Sequence, residues 1–98
     1  MEINKTQEGS KLNLSLVGRL DTVTSPQLQE LLDNSLNGID ELVFDFAKLD
    51  YISSAGLRVL LATNKKMIKN GKMIIRNVND VVQEVFDMTG FADILNIE

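Results

Sequence analysis

The chain begins with a hydrophobic pattern typical of a β-hairpin. Apolar and polar residues alternate with a period of two from Leu12 through Leu14 to Leu16, which is the pattern of a half-buried strand. A weaker strand is predicted over residues 2–6, and Glu8-Gly9-Ser10 has the composition of a turn. These residues therefore predict two antiparallel strands at the start of the chain.

A helical period follows the hairpin. The apolar positions that recur at helical spacing are Leu28, Leu31, Leu32 and Leu36. Ser25 is the predicted N-cap, Pro26 suits the first helical position, and Gly38 is the predicted stop. The mostly apolar residues 41–46 predict the next strand, and a strand, a helix and a strand in this order favour a right-handed parallel crossover.

The helix and strand pattern then occurs a second time. Ser53-Ser54-Ala55-Gly56 begins the second predicted helix, which ends at Asn70-Gly71 and is followed by a strand over residues 72–76. Three basic residues lie near the C-terminus of this helix, where cations are favourable against the helix dipole: Lys65, Lys66 and Lys69.

A third helix completes the pattern. Asn79 or Asp80 is its predicted cap, and Gly90 closes it. Residues 94–97 fit either a short strand or a helical turn. The chain as a whole is predicted to be a single α/β domain over residues 1–98, in which a small mixed β-sheet packs against three to four α-helices.

Composition narrows the possible functions. The 98 residues, 44% hydrophobic and 24% charged, have the balance of one ordinary globular domain. The net charge of -4 argues against nucleic acid or an anionic membrane as the main partner. Cysteine and histidine are absent, which excludes disulfides, thiolate nucleophiles, imidazole-based catalytic triads and histidine phosphorelay residues. An enzyme is therefore the least favoured class, and we expect no cofactor.

The sequence contains no segment that predicts export or membrane insertion. Met1-Glu2-Ile3-Asn4 lacks the basic start and apolar stretch of a signal peptide. The longest purely apolar run, Val59-Leu60-Leu61-Ala62, is far shorter than a membrane span. We therefore expect a cytoplasmic protein, and a monomer when it is free, since a chain of this length can bury its own core.

The loops after the second and third strands are the best candidate site. They comprise residues 18–22 and 47–54, and the carboxyl ends of neighbouring parallel strands lie at one edge of a sheet. We therefore expect Asp21 to face Ser53 and Ser54. A serine at a helix N-terminus can carry a phosphate, because free N–H groups and the helix dipole favour an anion there. It can also be simply an N-cap, and the two roles do not exclude each other.

Other charged residues have simple explanations beside the functional ones. Arg58 lies one turn after Ser54, where it can contact a partner carboxylate, a phosphate or only solvent. Asp21, Asp45 and Asp50 carry the oxygen ligands that magnesium prefers, but scattered aspartates are more often turn and capping residues. We therefore expect no metal site, and no glycine-rich phosphate loop points to a nucleotide.

The motifs resemble those of STAS domains, the fold of bacterial anti-sigma factor antagonists. The likeness covers nearly the whole chain from Gly18 onward, and its most specific part is the Ser-Ser-Ala-Gly-Leu segment at residues 53–57. The matching segments are Gly18-Arg19-Leu20-Asp21, residues 42–46, residues 49–61 and residues 85–91.

The resemblance implies a binding protein that acts by partner switching. The unphosphorylated form would bind an anti-sigma factor with serine kinase activity and free the sigma factor; phosphorylation would release this partner, and a serine phosphatase would restore binding. The family's phosphorylated serine matches Ser54, and Ser53, which occupies the position of the family's usual aspartate, is the second choice. The implied partner-binding residues are Asp21, Thr22, Ser53, Ser54, Gly56 and Arg58.

A second class of function is also compatible with a STAS domain. The protein could be an accessory subunit or regulator of a membrane transporter complex. Such a protein would not need a phosphorylatable serine, so the role of Ser54 distinguishes the two hypotheses.

Overall fold

The computed structural model describes residues 1–98 and contains four strands and three α-helices. The strands are β1 (Glu2–Glu8), β2 (Lys11–Leu20), β3 (Glu41–Ile52) and β4 (Lys72–Arg76). The helices are α1 (Ser25–Ser35), α2 (Ser54–Asn70) and α3 (Asp80–Thr89), and a short 3-10 turn follows at Phe91–Asp93. None of the helices combines the length and the apolar character needed to cross a membrane.

The strands form one mixed sheet in the order β1-β2-β3-β4. β1 is antiparallel to β2, whereas β2 and β3, and then β3 and β4, are parallel. The predicted α/β fold is therefore confirmed, with a hairpin followed by parallel crossovers. Residues 94–97 fitted either a strand or a turn in the sequence. In the structure they follow the 3-10 turn, and Ile97 forms a single parallel bridge with Ile75.

The core lies between one face of the sheet and the helices. The alternating leucines of β2 are fully buried, and their register partners in β3 and β4 are buried beside them. All three helices contribute apolar side chains to the same cluster, which includes Leu28, Leu32, Leu57, Leu60, Val82 and Phe86. The opposite face of the sheet is mostly polar and forms an open groove of about 310 Å³, lined by residues such as Asn13, Ser15, Asp45 and Arg76.

β3 is longer than the sequence pattern predicts. We expected a strand over residues 41–46 and then a loop, but the strand continues to Ile52. Its pairing with β2 shifts register twice, and the Asp45 carboxylate accepts a hydrogen bond from the Ala47 N–H at 2.9 Å at the first irregularity. These irregularities break the period of two, so the sequence pattern ends before the strand does. The same pairing extends β2 to Leu20.

The predicted cap of α1 is wrong by one residue. Thr24 is the N-cap and Ser25 is the first helical residue, because the Ser25 hydroxyl donates a hydrogen bond back to the Asp21 carbonyl oxygen instead of capping the helix. Gly38, with a φ of 80°, lies in the turn after the helix, whose last residue is Ser35.

The other two helix starts follow the prediction. Ser53 is the N-cap of α2, and Asn79, one of the two predicted caps, is the N-cap of α3. The Asn79 amide oxygen accepts a hydrogen bond from the Val82 N–H at 2.8 Å, and its amide nitrogen donates to the Leu49 carbonyl oxygen at 2.8 Å. Asn79 therefore also fastens α3 to β3.

We predict that Gly71→Ala strongly destabilises the protein. A Cβ atom at Gly71 would lie 1.7 Å from the Asp40 carbonyl oxygen, so the backbone at the junction between α2 and β4 must move. Urea denaturation should give a loss of about 3 kcal/mol in the free energy of unfolding. The control is Gly9→Ala, where the space is open and only the positive φ of 61° costs about 1 kcal/mol. Equal losses for the two variants would contradict the prediction.

Candidate functional site

The candidate site lies where β2 and β3 end side by side. Leu20 pairs with Ile52, the last residues of the two strands. The Ser53 N–H then donates a hydrogen bond to the Leu20 carbonyl oxygen at 2.9 Å. The first residue after β2, Asp21, therefore lies next to the start of α2, as expected for parallel neighbours.

The two adjacent serines have different environments. Ser53 is half-buried, with extended backbone, and its hydroxyl oxygen accepts a hydrogen bond from the Gly56 N–H at 3.5 Å. Ser54 is the first residue of α2, is exposed, and its hydroxyl makes no hydrogen bond to the rest of the chain. Ser53 is therefore the N-cap of the helix, whereas the hydroxyl of Ser54 is free.

Gly56 allows α2 to begin close to the strand ends. A Cβ atom at this position would lie 2.7 Å from Leu20 Cγ and 2.9 Å from Ile52 Cγ1. Gly56 is itself buried, so it is not a surface that another protein could reach directly. Its effect on the site is to position the N-terminus of α2 against the sheet.

The Asp21 carboxylate organises the loop between β2 and α1. Its Oδ1 atom accepts hydrogen bonds from the N–H groups of Val23 and Thr24, each at 3.0 Å. The Asp21 N–H in turn donates to the Thr24 hydroxyl oxygen at 2.9 Å, and this hydroxyl donates to the Arg19 carbonyl oxygen at 2.8 Å. These hydrogen bonds of Asp21 therefore stay within its own loop, and it makes none to Ser53 or Ser54.

These contacts lower the pKa of Asp21. The main cause is the hydrogen bond from the Thr24 backbone N–H, which is opposed by partial desolvation of the carboxylate. The Thr24 hydroxyl, the Val23 N–H and the positive charge of Arg19 lower the pKa further. Asp21 is therefore ionised at neutral pH and contributes a fixed negative charge beside the start of α2.

Arg19 is held between Asp21 and an aromatic ring. Its guanidinium carbon lies 4.4 Å from the centre of the Tyr51 ring, in the geometry of a cation–π contact. Its Nε atom lies 3.8 Å from Asp21 Oδ2. Neither side chain was a candidate from the sequence, since their pairing depends on the irregular register between β2 and β3.

Thr24 also belongs to this loop but was not a candidate from the sequence. Thr24 closes the loop reciprocally with Asp21, and the three-residue spacing between an acidic residue and a threonine was a signal that could have identified it. Thr22, which the resemblance implied, is exposed, and Val23 beside it is 85% exposed.

The remaining candidates are spread over the surface. The Arg58 side chain is exposed and makes no ion pair or hydrogen bond within the chain. Asp45 is occupied by the Ala47 N–H and by the Asn77 amide, and Asp50 is exposed. Asp21, Asp45 and Asp50 are not grouped as metal ligands, and no other cluster of three acidic residues forms.

The sequence matches the STAS domain family over residues 2–98. The chain belongs to the STAS family. BtrV of Bordetella bronchiseptica, whose name describes it as a candidate anti-sigma factor antagonist, is 32% identical over 99% of this chain, which spans 85% of BtrV. The anti-sigma-B factor antagonist of Staphylococcus aureus is 26% identical over 99% of this chain, which spans 92% of that protein.

A solved anti-sigma factor antagonist shares the fold. SpoIIAA, an anti-sigma factor antagonist solved in unphosphorylated and phosphorylated forms, aligns with this chain at a TM-score of 0.77 in each form. The alignments cover 99% of this chain and 87% and 91% of SpoIIAA, at 15% and 16% identity. At this identity the structural likeness establishes only the fold. The relationship to named antagonists rests on the 32% sequence identity to BtrV.

We predict that the two serines contribute differently to stability. Ser53→Ala removes the N-cap of α2 and should lower the free energy of unfolding by about 0.5–1 kcal/mol. Ser54→Ala removes a free hydroxyl and should change it by less than about 0.5 kcal/mol. Urea denaturation followed by circular dichroism measures both values. A loss for Ser54→Ala as large as that for Ser53→Ala would contradict this assignment.

We predict that the loss of stability in Asp21→Asn is largest above about pH 4 and shrinks below it. Because folding lowers the pKa of Asp21 below its usual 3.8, the ionised form stabilises the fold. This contribution is complete above pH 3.8 and is lost as the pH falls through the lower pKa of the folded state. The difference in Tm between the two proteins should therefore shrink on acidification from neutral pH.

The matched control for this experiment is Asp50→Asn. The Asp50 side chain is exposed and makes no hydrogen bond or ion pair, so its replacement should leave Tm unchanged at neutral pH. A Tm difference for Asp21→Asn that is constant from neutral to acidic pH would exclude the ionised carboxylate as the cause.

Proposed function

We propose that this protein is an anti-sigma factor antagonist that acts by partner switching. The unphosphorylated form binds an anti-sigma factor that is also a serine kinase, and thereby frees the sigma factor. Phosphorylation of Ser54 by that kinase releases the complex, and a serine phosphatase restores binding. The observation that carries the proposal is the free, exposed hydroxyl of Ser54 at the N-terminus of α2, beside the ionised Asp21.

The environment of Ser54 supports it as the phosphorylated residue. Its hydroxyl is accessible and has no hydrogen bond to break, whereas the Ser53 hydroxyl caps the helix. A phosphate on Ser54 would lie near the free N–H groups and the positive end of the α2 dipole. The fold can therefore accept the added charge. Ser53 is the second choice because it is half-buried and its hydroxyl already accepts the hydrogen bond from the Gly56 N–H.

The effect of the phosphate falls on the contact with the partner. It adds about -1.5 to -2 charges beside Asp21, which is itself ionised. In water this repulsion is weak, but in an interface the charges lose their hydration and the cost rises. The switch is therefore an electrostatic and steric block at the surface, with no need for a large rearrangement.

The proposed docking surface consists of the accessible residues at this edge of the sheet. They are Asp21, Thr22, Ser53, Ser54 and Arg58. Gly56 belongs to the site as a positioning residue, because it is buried against the ends of β2 and β3. Arg58 has no partner within the chain, which leaves its guanidinium available for a carboxylate of the anti-sigma factor.

A regulatory binding module is favoured over the other classes. The relatives in sequence are named as antagonists of anti-sigma factors, which supports this role over that of a transporter subunit. Without histidine and cysteine, catalysis would rest on unassisted aspartate or serine side chains, which makes an enzyme the least favoured class. The proposal places the protein in the bacterial cytoplasm, as a monomer when free and without a cofactor.

We predict that Ser54→Asp loses the anti-sigma factor while Ser54→Ala keeps it. The two variants serve as baits in parallel pull-downs from lysate of the source cell, with mass spectrometry of the captured proteins. The Ser54→Ala bait should retain a small ATPase with serine kinase activity, and the Ser54→Asp bait should not. When the purified kinase and ATP are added to the wild-type protein, phosphate should appear on Ser54.

The matched control is Ser10→Asp. Ser10 is exposed in the turn before β2, at the opposite end of that strand from Asp21, and the variant carries the same added charge. It should retain the kinase. Retention by the Ser54→Asp bait, or capture of the same transporter proteins by all the baits, would refute the partner switch.

A further inference from the structure

The most exposed large apolar side chain lies in the proposed docking surface. Val23 is 85% exposed, compared with 79% for Met88 and 63% for Ile68. It is the only apolar residue among the four that connect β2 to α1. The loop therefore presents one branched apolar side chain among otherwise polar residues.

The loop also holds Val23 in place. The Val23 N–H donates to the Asp21 carboxylate, and the flanking Thr24 is bonded to Asp21 and Arg19. The N–H and the hydroxyl of Ser25, the first residue of α1, both donate to the Asp21 carbonyl oxygen. These bonds hold the start of α1 against the beginning of the loop. A side chain on such a preorganised loop loses little conformational freedom when it is buried by another protein.

Val23 is part of the same edge as the phosphorylation site. It lies two residues after Asp21, whose neighbour Leu20 accepts the hydrogen bond from the Ser53 N–H. A protein that covers Ser54 and Asp21 therefore meets Val23 as well. Apolar contacts at the centre of an interface exclude water from the charged groups around them.

We propose that Val23 is an apolar anchor for the anti-sigma factor and a determinant of partner choice. This inference rests on the proposed function and adds what the partner must offer. The partner needs an apolar pocket for an isopropyl group, next to a hydrogen-bond donor or cation that pairs with the Asp21 carboxylate. When Val23 fills that pocket, water is excluded from the neighbouring carboxylate. A phosphate on Ser54 is then repelled more strongly than it would be in a hydrated interface.

The test is Val23→Thr, which keeps the branched shape and replaces one methyl group with a hydroxyl. The probe is the purified serine-kinase anti-sigma factor retained by the Ser54→Ala bait, and calorimetry gives the dissociation constant. Val23→Thr should weaken binding at least about tenfold, since burying an unpaired hydroxyl costs more than about 1.4 kcal/mol. Val23 is exposed, so Tm should be unchanged.

The matched control is Val81→Thr, the same replacement on α3 at a residue that is 56% exposed. It should bind within about twofold of the wild type. Val23→Thr within twofold of the wild type, while Ser54→Asp abolishes binding, would refute the anchor and leave the partner switch intact. If neither Val23→Thr nor Ser54→Asp weakens binding, the anchor and the partner switch are both refuted.

Discussion

The Ser53 N–H and the Leu20 carbonyl oxygen, 2.9 Å apart, join the two segments that form the candidate site. This hydrogen bond extends the parallel pairing of β2 and β3 beyond their last strand residues, so the loop after one strand and the helix after the other start side by side. Gly56 allows this arrangement, because any larger residue would collide with Leu20 and Ile52. The site therefore depends on close packing at the strand ends before it depends on any charge.

Two adjacent serines separate the capping of α2, by Ser53, from the proposed phosphorylation, at Ser54. A hydroxyl that caps a helix is held toward the backbone N–H that it accepts, as the Ser53 hydroxyl is with Gly56. A modified hydroxyl must be accessible and dispensable for folding, as Ser54 is. With the cap at one position and the free hydroxyl at the next, the proposed switch can change binding without loss of the helix.

The sequence patterns that proved accurate were those with a strict period or a local hydrogen bond. The alternation from Leu12 to Leu16 identified β2, the segment from Ser53 to Gly56 identified the start of α2, and Asn79 was one of two candidate caps of α3. The end of β3 was missed because register shifts interrupt its period. The exchange of hydrogen bonds between Asp21 and Thr24 moved the start of α1 by one residue from the predicted cap.

The exposure of individual side chains in the site could not be predicted from the sequence. A single valine in a polar loop is as consistent with burial as with exposure, and Val23 is exposed in a loop that the Asp21 carboxylate closes. Likewise, the stacking of Arg19 on Tyr51 follows from a strand pairing that passes through an irregularity. Both features arise from tertiary geometry, which local patterns do not encode.

The size of the proposed switch follows from the dielectric around the charges. Two unit charges about 8 Å apart interact by about 0.5 kcal/mol in water and about 2 kcal/mol at an effective dielectric constant of 20. A phosphate of nearly two charges beside Asp21 therefore shifts affinity by less than about tenfold if the interface stays wet, and by several hundredfold if water is excluded. A regulated release of the partner requires an interface from which water is excluded. The exposed side chain of Val23, held beside Asp21 by a rigid loop, provides the apolar surface that can exclude the water.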